Sequence, residues 1–483
     1  MLEEGVLPVL SVFLLRPVLY IVIYFAVRTC LLNRYIFIVK DKRKELMKQT
    51  LFATLFVLFA PLALAQTTVT IATVNNPDMQ VMEELSAVFE AQNPDIELEW
   101  VILDEGTLRS RVTTDAATGG GSFDIVTVGA YETPLWGANG WIKSIEALAE
   151  QYPDAAEGYG FDDLLPAISD GLSYEGELYA VPFYGESSFT MYNATMLEEA
   201  GLTMPDAPTW QEVREIACQL HDPDNGVSGI VLRGKPGWGD NMGPITTVIN
   251  TFGGQWFDAE GVPQIDTPQW QEALTFYRDL VQECGPPGVT GISFPEALAL
   301  MSQGQAAIWV DATVAAGFLA NSPVGEDMGH ALAPVGPVAK GNAWLWSWNL
   351  AIPETSDVEE AAFRFLMWAT SQDYIELVAE ERGWAQVPPG TRVSTYERQE
   401  YLDAAPFAEM VLGAIQSADP TDSTAQPQIA PGVQFVQIPE YQGIGNDVAQ
   451  IVAEVLAGDV SVEQALERAQ RVAAEAMQDA GYY

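Results

Sequence analysis

Short apolar runs alternate along the chain with longer stretches in which apolar residues recur every three or four positions. Residues 69–72 form a run of the first kind and predict a strand. Residues 96–103 alternate apolar and polar side chains, which predicts a second strand. Between them, Asn76 and Pro77 stand at the cap and first position of a predicted helix. This order favours parallel strands joined by helical crossovers, so the fold class is predicted to be α/β.

The same order returns in the second half of the chain. Thr209 and Glu212 predict a capping box at the start of one helix, and Ser461 and Gln464 predict another before a C-terminal helix. Residues 404–431 are rich in Pro, Ser and Asp and are predicted to be a loop. The remaining segments follow the same rules, with strands predicted over residues 124–128, 229–232, 306–310 and 346–352 and helices over residues 107–117, 268–284 and 294–301.

The N-terminal part of the chain does not follow the α/β pattern. Lys48, the apolar run after it and a small-x-small site before Gln66 have the three parts of a secretory signal, so residues 47–65 are predicted to be a signal peptide. The mature chain is then expected in the periplasm or outside the cell. Residues 1–46 contain an apolar stretch and a basic flank, which leaves two interpretations. They are a non-native extension upstream of a start at Met47, or a membrane segment that tethers the protein.

The chain carries 66 Asp and Glu residues against 22 Lys and Arg, a net charge of −44. A field of this sign repels nucleic acid and anionic membrane surfaces, so neither is expected as a partner, and a monomer is predicted. Two histidines and three cysteines leave little material for a zinc site or a histidine-based triad. Cys218 and Cys284 fall near the ends of predicted helices, which leaves a disulfide or two buried thiols as interpretations.

Motifs that bind nucleotides or metals, or that form an acyl intermediate, are missing from the sequence. There is no phosphate-binding Walker loop, no HExxH, no GxSxG and no dinucleotide fingerprint, and no cofactor or metal is expected. The many carboxylates neither support nor exclude a glycosidase pair, so a secreted carbohydrate hydrolase or lyase stays an alternative. A surface protein anchored by its N-terminal apolar stretch is a third hypothesis.

Aromatic and amide side chains gather where predicted strands run into loops. In open α/β sheets, ligands lie beyond the carboxyl ends of strands. Aromatic faces cover the C–H surface of a sugar or polyol, while Asn, Asp, Glu and Arg bind its hydroxyls. Trp346 and Trp348 are expected to face opposite sides of their strand. The four places with this character are residues 74–77, 129–132, 184–188 and 344–349.

Segments spread over residues 69–483 give the sequence a resemblance to a known family. They are Asn75-Asn76-Pro77 after the first strand, residues 123–126, residues 178–183 leading into 191–193, residues 302–307 and residues 348–352. With them the chain resembles bacterial extracellular solute-binding proteins of the family that includes maltose-binding protein. The resemblance implies a two-lobe periplasmic-binding-protein fold with a hinge of crossing strands. It places residues 66–182 and 337–370 in lobe I and residues 183–336 and 371–483 in lobe II, with crossings near residues 181–184, 334–338 and 368–374.

Three longer segments are similar to the polyol group of this family, which binds mannitol and sorbitol. They are residues 232–242, 309–313 and 383–392. This resemblance implies a receptor without catalytic activity that captures a linear polyol, sorbitol or mannitol, or a small sugar by closing its hinge. It also implies delivery of the ligand to an ABC permease complex in the inner membrane.

The junctions and the resemblance together predict the ligand-binding residues. Glu186 lies where the family places a carboxylate after the first crossing, and Asp311 follows a predicted buried strand. Four of the residues have a second interpretation. Arg233 could pair with an acidic neighbour, Asp311 could cap the next helix, and Tyr131 could anchor a loop. Trp238 could be a buried core side chain. The predicted ligand-binding residues are Asn76, Tyr131, Glu186, Arg233, Trp238, Asn241, Asp311 and Trp348.

Overall fold

The computed structural model describes residues 66–483, which group together as one unit. The predicted signal peptide over residues 47–65 and the two interpretations of residues 1–46 lie outside the described residues. No helix within residues 66–483 is both long enough and apolar enough to cross a membrane.

The strands of residues 66–483 form two main sheets and one short hairpin. In chain order they are β1 (Thr67–Val74), β2 (Ile96–Leu103), β3 (Ile125–Gly129), β4 (Ser173–Tyr174), β5 (Glu177–Leu178), β6 (Val181–Glu186), β7 (Ser188–Asn193), β8 (Ser228–Val231), β9 (Ala306–Ala312), β10 (Met328–Leu332) and β11 (Trp346–Ala351). The strands predicted by pattern correspond to β1, β2, β3, β8, β9 and β11. Their predicted ends lie within two residues of the observed ones, so these predictions are confirmed.

Helices fill the connections between the strands. In chain order they are α1 (Pro77–Gln92), α2 (Glu105–Thr118), α3 (Glu132–Ala138), α4 (Ile145–Gln151), α5 (Pro153–Ala156), α6 (Pro166–Ser169), α7 (Ala194–Glu199), α8 (Trp210–Leu220), α9 (Met242–Thr251), α10 (Pro268–Cys284), α11 (Phe294–Ser302), α12 (Ala315–Ala320), α13 (Glu359–Ala369), α14 (Gln372–Arg382), α15 (Val393–Glu397), α16 (Gln399–Ala404), α17 (Ala408–Ser417), α18 (Tyr441–Ala457) and α19 (Val462–Asp479). The predicted capping box of Thr209 and Glu212 begins α8. At α19, Ser461 caps the helix by accepting a hydrogen bond from the backbone N–H of Gln464.

The first sheet has the strand order β2-β1-β3-β11-β6. β1 runs parallel to β2 and β3, whereas β11 runs antiparallel to β3 and β6. Asn76 begins the crossover helix α1, because its side chain accepts a hydrogen bond from the backbone N–H of Met79. β3 is buried along its whole length, as expected for a strand covered on both faces. This sheet is the centre of the first lobe.

The second sheet has the strand order β10-β7-β9-β8. β8 runs parallel to β9, and β7 runs antiparallel to both β9 and β10. Only Ser187 separates β6 of the first sheet from β7 of the second, so the chain passes between the lobes at this residue. It returns to the first sheet between β10 and β11. The predicted two-lobe α/β fold with crossing strands is therefore confirmed.

The lobe boundaries given above stay predictions, and the contacts of α14 and α15 bear on the last of them. Arg382 forms an ion pair with Glu84 of α1 in the first lobe. Arg392 is fully buried and pairs with Asp163 at 3.3 Å, ahead of β4. These ion pairs join the chain after α13 to the first lobe. We therefore propose that the third passage lies later than residues 368–374.

Two helices of the second lobe are joined covalently. Cys218 of α8 and Cys284 at the end of α10 form a disulfide, with their Cα atoms 5.0 Å apart. The disulfide interpretation of the cysteine pair is thus confirmed. The bond closes a sequence separation of 66 residues, and closing a loop of this length restricts the unfolded chain and stabilises the fold.

The loop predicted over residues 404–431 is wrong in its first part, because α17 lies within it. Val411 and Ile415 are buried one turn apart on this helix. The Pro, Ser and Asp residues that suggested a loop are concentrated after the end of α17. The apolar side chains before them follow a helical spacing, and their burial decides the local structure.

Candidate functional site

A cavity of about 170 Å³ lies in the cleft between the two lobes and is called the cleft cavity. Val74 at the end of β1 and Glu186 at the end of β6 line it from the first lobe. Ala312 at the end of β9 lines it from the second lobe. Carboxyl ends of strands are where open α/β sheets bind ligands. The volume suits one small molecule, since it lies below the range of drug-sized pockets.

The structure brings together five of the eight predicted ligand-binding residues. Those that line the cleft cavity are Asn76, Glu186, Arg233, Trp238 and Trp348. Those that do not line it are Tyr131, Asn241 and Asp311. Asp311 instead hydrogen-bonds to Arg233. Tyr131 and Asn241 contact Trp238 or the loop that carries it.

Arg233 and Asp311 form a buried ion pair in the second lobe. The Arg233 Nε and Nη2 groups donate to the two carboxylate oxygens of Asp311 over 2.8 and 2.6 Å. Asp311 is fully buried on β9 and also accepts a hydrogen bond from the indole N–H of Trp309 over 3.1 Å. The acidic-neighbour interpretation of Arg233 is therefore correct, although Arg233 also lines the cavity. Asp311 does not cap α12, whose cap residue is Val314.

Glu186 is the buried carboxyl of the cleft cavity. Its side chain forms no ion pair among residues 66–483, and its Oε2 atom has no hydrogen-bond partner there. The residue is only 5% exposed. Burial raises the pKa of the Glu186 carboxyl well above its ordinary value, and Arg233 opposes this only in part because it is already paired with Asp311. The raised pKa favours the neutral carboxylic acid form of Glu186 in this cleft.

Arg109 of α2 lies among three indole rings of the cleft. Its guanidinium carbon is 4.2 Å from the ring centre of Trp238, 4.9 Å from that of Trp346 and 4.6 Å from that of Trp348. Trp346 and Trp348 both line the cavity, so the expectation that they face opposite sides is wrong. Residues two apart on a strand share a face. Since Trp238 belongs to the other lobe, the cation–π contact also holds the lobes together.

Arg109 was not among the predicted site residues, because a cation inside a polar helix pattern usually faces solvent. Its nitrogens instead donate hydrogen bonds to two carboxylates of the first lobe. Nη2 donates to Glu105 over 3.0 Å, and Nη1 donates to Glu132. Arg109 is only 5% exposed. These bonds fix the guanidinium where it stacks on the indoles.

Tyr131 and Asn241 support the loop that carries Trp238. The Tyr131 hydroxyl donates to the backbone oxygen of Ile438 over 2.6 Å, and its ring centre is 4.9 Å from that of Trp238. This agrees with the interpretation of Tyr131 as an anchor. Asn241 donates from Nδ2 to the backbone oxygen of Ala449 over 3.2 Å and accepts a hydrogen bond from the Gly237 N–H. Both amide atoms of Asn241 are thus used inside the second lobe.

Four residues that line the cleft cavity carry buried polar atoms without a hydrogen-bond partner among residues 66–483. The atoms are Glu186 Oε2, Trp238 Nε1, Trp344 Nε1 and Gln434 Oε1. A buried donor or acceptor left unpaired costs about 1–3 kcal/mol. Such a group is stabilised when a ligand supplies the missing partner. Because all four residues line one small cavity, their two indole donors, amide acceptor and carboxyl fit a neutral ligand with several hydroxyl groups.

A hinged cleft between two α/β lobes, with unpaired polar atoms and aromatic rings around a small cavity, defines a solute-binding protein of the two-lobe type. The chain belongs to the bacterial extracellular solute-binding protein family, whose model matches residues 73–376. This confirms the family resemblance seen in the sequence.

Two similar proteins share nearly half of their sequence with this chain. A mannitol-binding protein of Pseudomonas aeruginosa is 48% identical over 424 residues, which cover 87% of this chain and 95% of that protein. A crystal structure of an ABC transporter solute-binding protein from Agrobacterium vitis with bound D-mannitol is 49% identical, with a TM-score of 0.83. The match covers 86% of this chain and 99% of that one.

A more distant solved structure has the same fold. The ABC transporter solute-binding protein of Agrobacterium radiobacter in complex with ribitol is 26% identical, with a TM-score of 0.74. The match covers 85% of this chain and 99% of that one.

Replacement of Asp311 by Ala is expected to destabilise the protein by about 3–5 kcal/mol, because it leaves the Arg233 cation buried without its partner. Urea unfolding followed by tryptophan fluorescence measures the loss. The double variant Arg233→Met with Asp311→Leu removes both charges and should lose less than the single variant. A single-variant loss below about 1 kcal/mol, the size of a surface pair, would contradict a buried ion pair.

Proposed function

We propose that this protein is the substrate-binding protein of an ABC importer and captures a linear polyol, such as mannitol or sorbitol, between its lobes. The observation that carries the proposal is the set of four unpaired polar atoms around the cleft cavity. In this role the protein performs no catalysis and needs no cofactor. The protein acts outside the cytoplasm as a monomer and passes its ligand to a permease complex in the inner membrane.

The chemistry of a polyol matches the two kinds of surface in the cavity. Each hydroxyl both donates and accepts a hydrogen bond, so one ligand can satisfy the indole N–H groups of Trp238 and Trp344 and the oxygen of Gln434. The C–H faces of its carbon chain pack on aromatic rings such as Trp348. A neutral ligand also suits a site in which Arg233 already has its carboxylate partner.

The relatives support the ligand class. One protein with 48% identity is named for mannitol, and one solved structure with 49% identity holds D-mannitol. Another solved structure of the same fold holds ribitol, also a linear polyol. Closure on such a ligand requires that the closed state binds it more tightly than the open state, since only differential affinity shifts the equilibrium.

A thermal-shift screen tests the proposed ligand class. Mannitol, sorbitol, arabitol, xylitol, glucose, maltose and trehalose are each added to residues 66–483. A linear polyol at about a thousand times its dissociation constant should add roughly 4 kcal/mol to stability and raise the melting temperature. A shift with cyclic sugars only would contradict the polyol class. No shift with any of them would contradict the receptor and direct attention to hydrolysis of oligosaccharides.

Two tryptophan variants serve as a matched pair in the same experiment. Trp344→Phe removes an unpaired indole N–H from the cleft cavity and should weaken polyol binding by about tenfold. Trp210→Phe removes another unpaired indole N–H, which lies outside the cavity, and should leave the affinity unchanged.

Polyol binding is expected to weaken as pH rises, because closure buries Glu186 as a neutral acid. Burial raises the pKa of Glu186 well above its ordinary value in the closed cleft, and hydration of an open cleft removes that cause. Closure is therefore expected to take up a proton. Affinity is then greatest below the open-state pKa of Glu186 and falls by at most about tenfold per pH unit up to the closed-state pKa. The charged and titratable groups around Glu186 are Arg233, Asp311, Glu105, Asp78 and Tyr184.

Glu186→Gln separates this effect from those of the neighbouring groups. The amide mimics the neutral acid, so the variant should still bind polyol. On binding it should take up as much as one proton fewer than the wild-type protein. Calorimetric titrations between pH 5 and 8 in buffers of different ionisation enthalpy count the protons. Equal proton uptake in both proteins, or loss of binding in Glu186→Gln, would contradict a neutral Glu186.

A further inference from the structure

We propose that a partition between the lobes limits the length of the ligand, so that the protein binds a single short polyol and rejects polyols that carry a glycosyl unit. The inference rests on the proposed function and concerns the same cavity. The cross-lobe partition consists of the six residues that line both the cleft cavity and a second cavity outside it. They are Asp104, Glu105 and Arg109 of the first lobe and Lys235, Trp238 and Gly239 of the second.

The first-lobe half of the partition is held rigidly at the start of α2. Asp104 is the cap residue of this helix, and its carboxylate accepts a hydrogen bond from the Thr107 N–H over 3.2 Å. Glu105 accepts two hydrogen bonds from Arg109, over 3.2 and 3.0 Å. The hydrogen bonds of Asp104 and Glu105 thus lie within the first lobe and do not depend on the second.

The second-lobe half is the loop after β8. Asn241 holds this loop by accepting a hydrogen bond from the Gly237 N–H, and the backbone N–H of Trp238 donates to Asn446 over 3.2 Å. The Trp238 ring covers the guanidinium of Arg109. Each lobe thus supplies one ordered side of the partition.

The two halves meet without a gap at Gly239. A Cβ atom placed on Gly239 would overlap the Oε1 atom of Glu105 and lie 3.0 Å from Nη2 of Arg109. The ring of Trp238 lies at stacking distance from Arg109, 4.2 Å from its guanidinium carbon. No ligand chain can pass through this contact while the lobes are closed. A ligand that extended beyond the cleft cavity would hold the halves apart and lose the closure contacts.

The space beyond the partition is large enough for a further sugar unit. The second cavity has a volume of about 950 Å³. Its lining is rich in hydroxyl and amide side chains, which include Thr107, Ser110, Thr114, Gln442 and Asn446. The partition, and not a lack of room or polar partners outside, is therefore what excludes a longer ligand.

The test compares mannitol and sorbitol with maltitol and lactitol, which are hexitols carrying one glycosyl unit. Dissociation constants are measured by calorimetry on the purified protein. The wild-type protein should prefer the free hexitols by about a hundredfold or more. Lys235→Ala and Trp238→Leu each make the partition thinner. Each should reduce the ratio of the dissociation constants for the glycosylated and the free hexitols by about tenfold, even where the affinity for the free hexitol also falls.

Ser110→Ala is the matched control, since Ser110 directly follows Arg109 on α2 but lines only the second cavity. It should leave the ratio unchanged. Wild-type protein that binds maltitol as tightly as a free hexitol would overturn the partition and leave the proposed function standing. A ratio unchanged in both partition variants would also overturn it. Wild-type protein that binds none of these compounds would overturn the proposed function and the partition together.

Discussion

The buried ion pair between Arg233 and Asp311 sets the charge of the cleft. Both carboxylate oxygens of Asp311 accept from Arg233, so the guanidinium is not available as a counter-ion for Glu186. Arg109 likewise forms ion pairs with Glu105 and Glu132. The two arginines of the cleft thus have carboxylate partners, and burial raises the pKa of Glu186 well above its ordinary value. A site whose arginines are paired and whose other polar atoms are unpaired has an affinity for neutral hydroxyl groups, which is what a polyol offers.

Both lobes are needed to form the ligand site. Each lobe alone presents half of a polar surface: Asn76 and Glu186 on one side, Arg233 and Trp238 on the other. Closure brings these halves together and excludes water, which strengthens every hydrogen bond to the ligand. It also brings Arg109 over Trp238. The contacts that recognise the ligand are therefore also contacts that define the closed state.

Local features of this fold were predictable from sequence, whereas the contacts between distant segments were not. The strands and the caps at Asn76 and Thr209 depend on neighbours within a few residues, and the pattern predicts them correctly. Tyr131, Asn241 and Asp311 were placed near the ligand because of their positions at strand ends and the family resemblance, yet each hydrogen-bonds to protein atoms instead. Conversely, Arg109, Trp344 and Gln434 line the cleft cavity but were not predicted as ligand-binding residues. Trp344 had a signal in its aromatic-rich segment, but Gln434 had none.

A crystal structure of residues 66–483 grown with mannitol tests the central claim most directly. The account predicts one mannitol molecule in the cleft cavity, with hydroxyl groups within hydrogen-bond distance of Glu186 Oε2, Trp238 Nε1, Trp344 Nε1 and Gln434 Oε1. Its carbon chain should end before the Arg109–Trp238 contact. Mannitol bound elsewhere, or bound in the cleft with these four atoms still unpaired, would contradict the account.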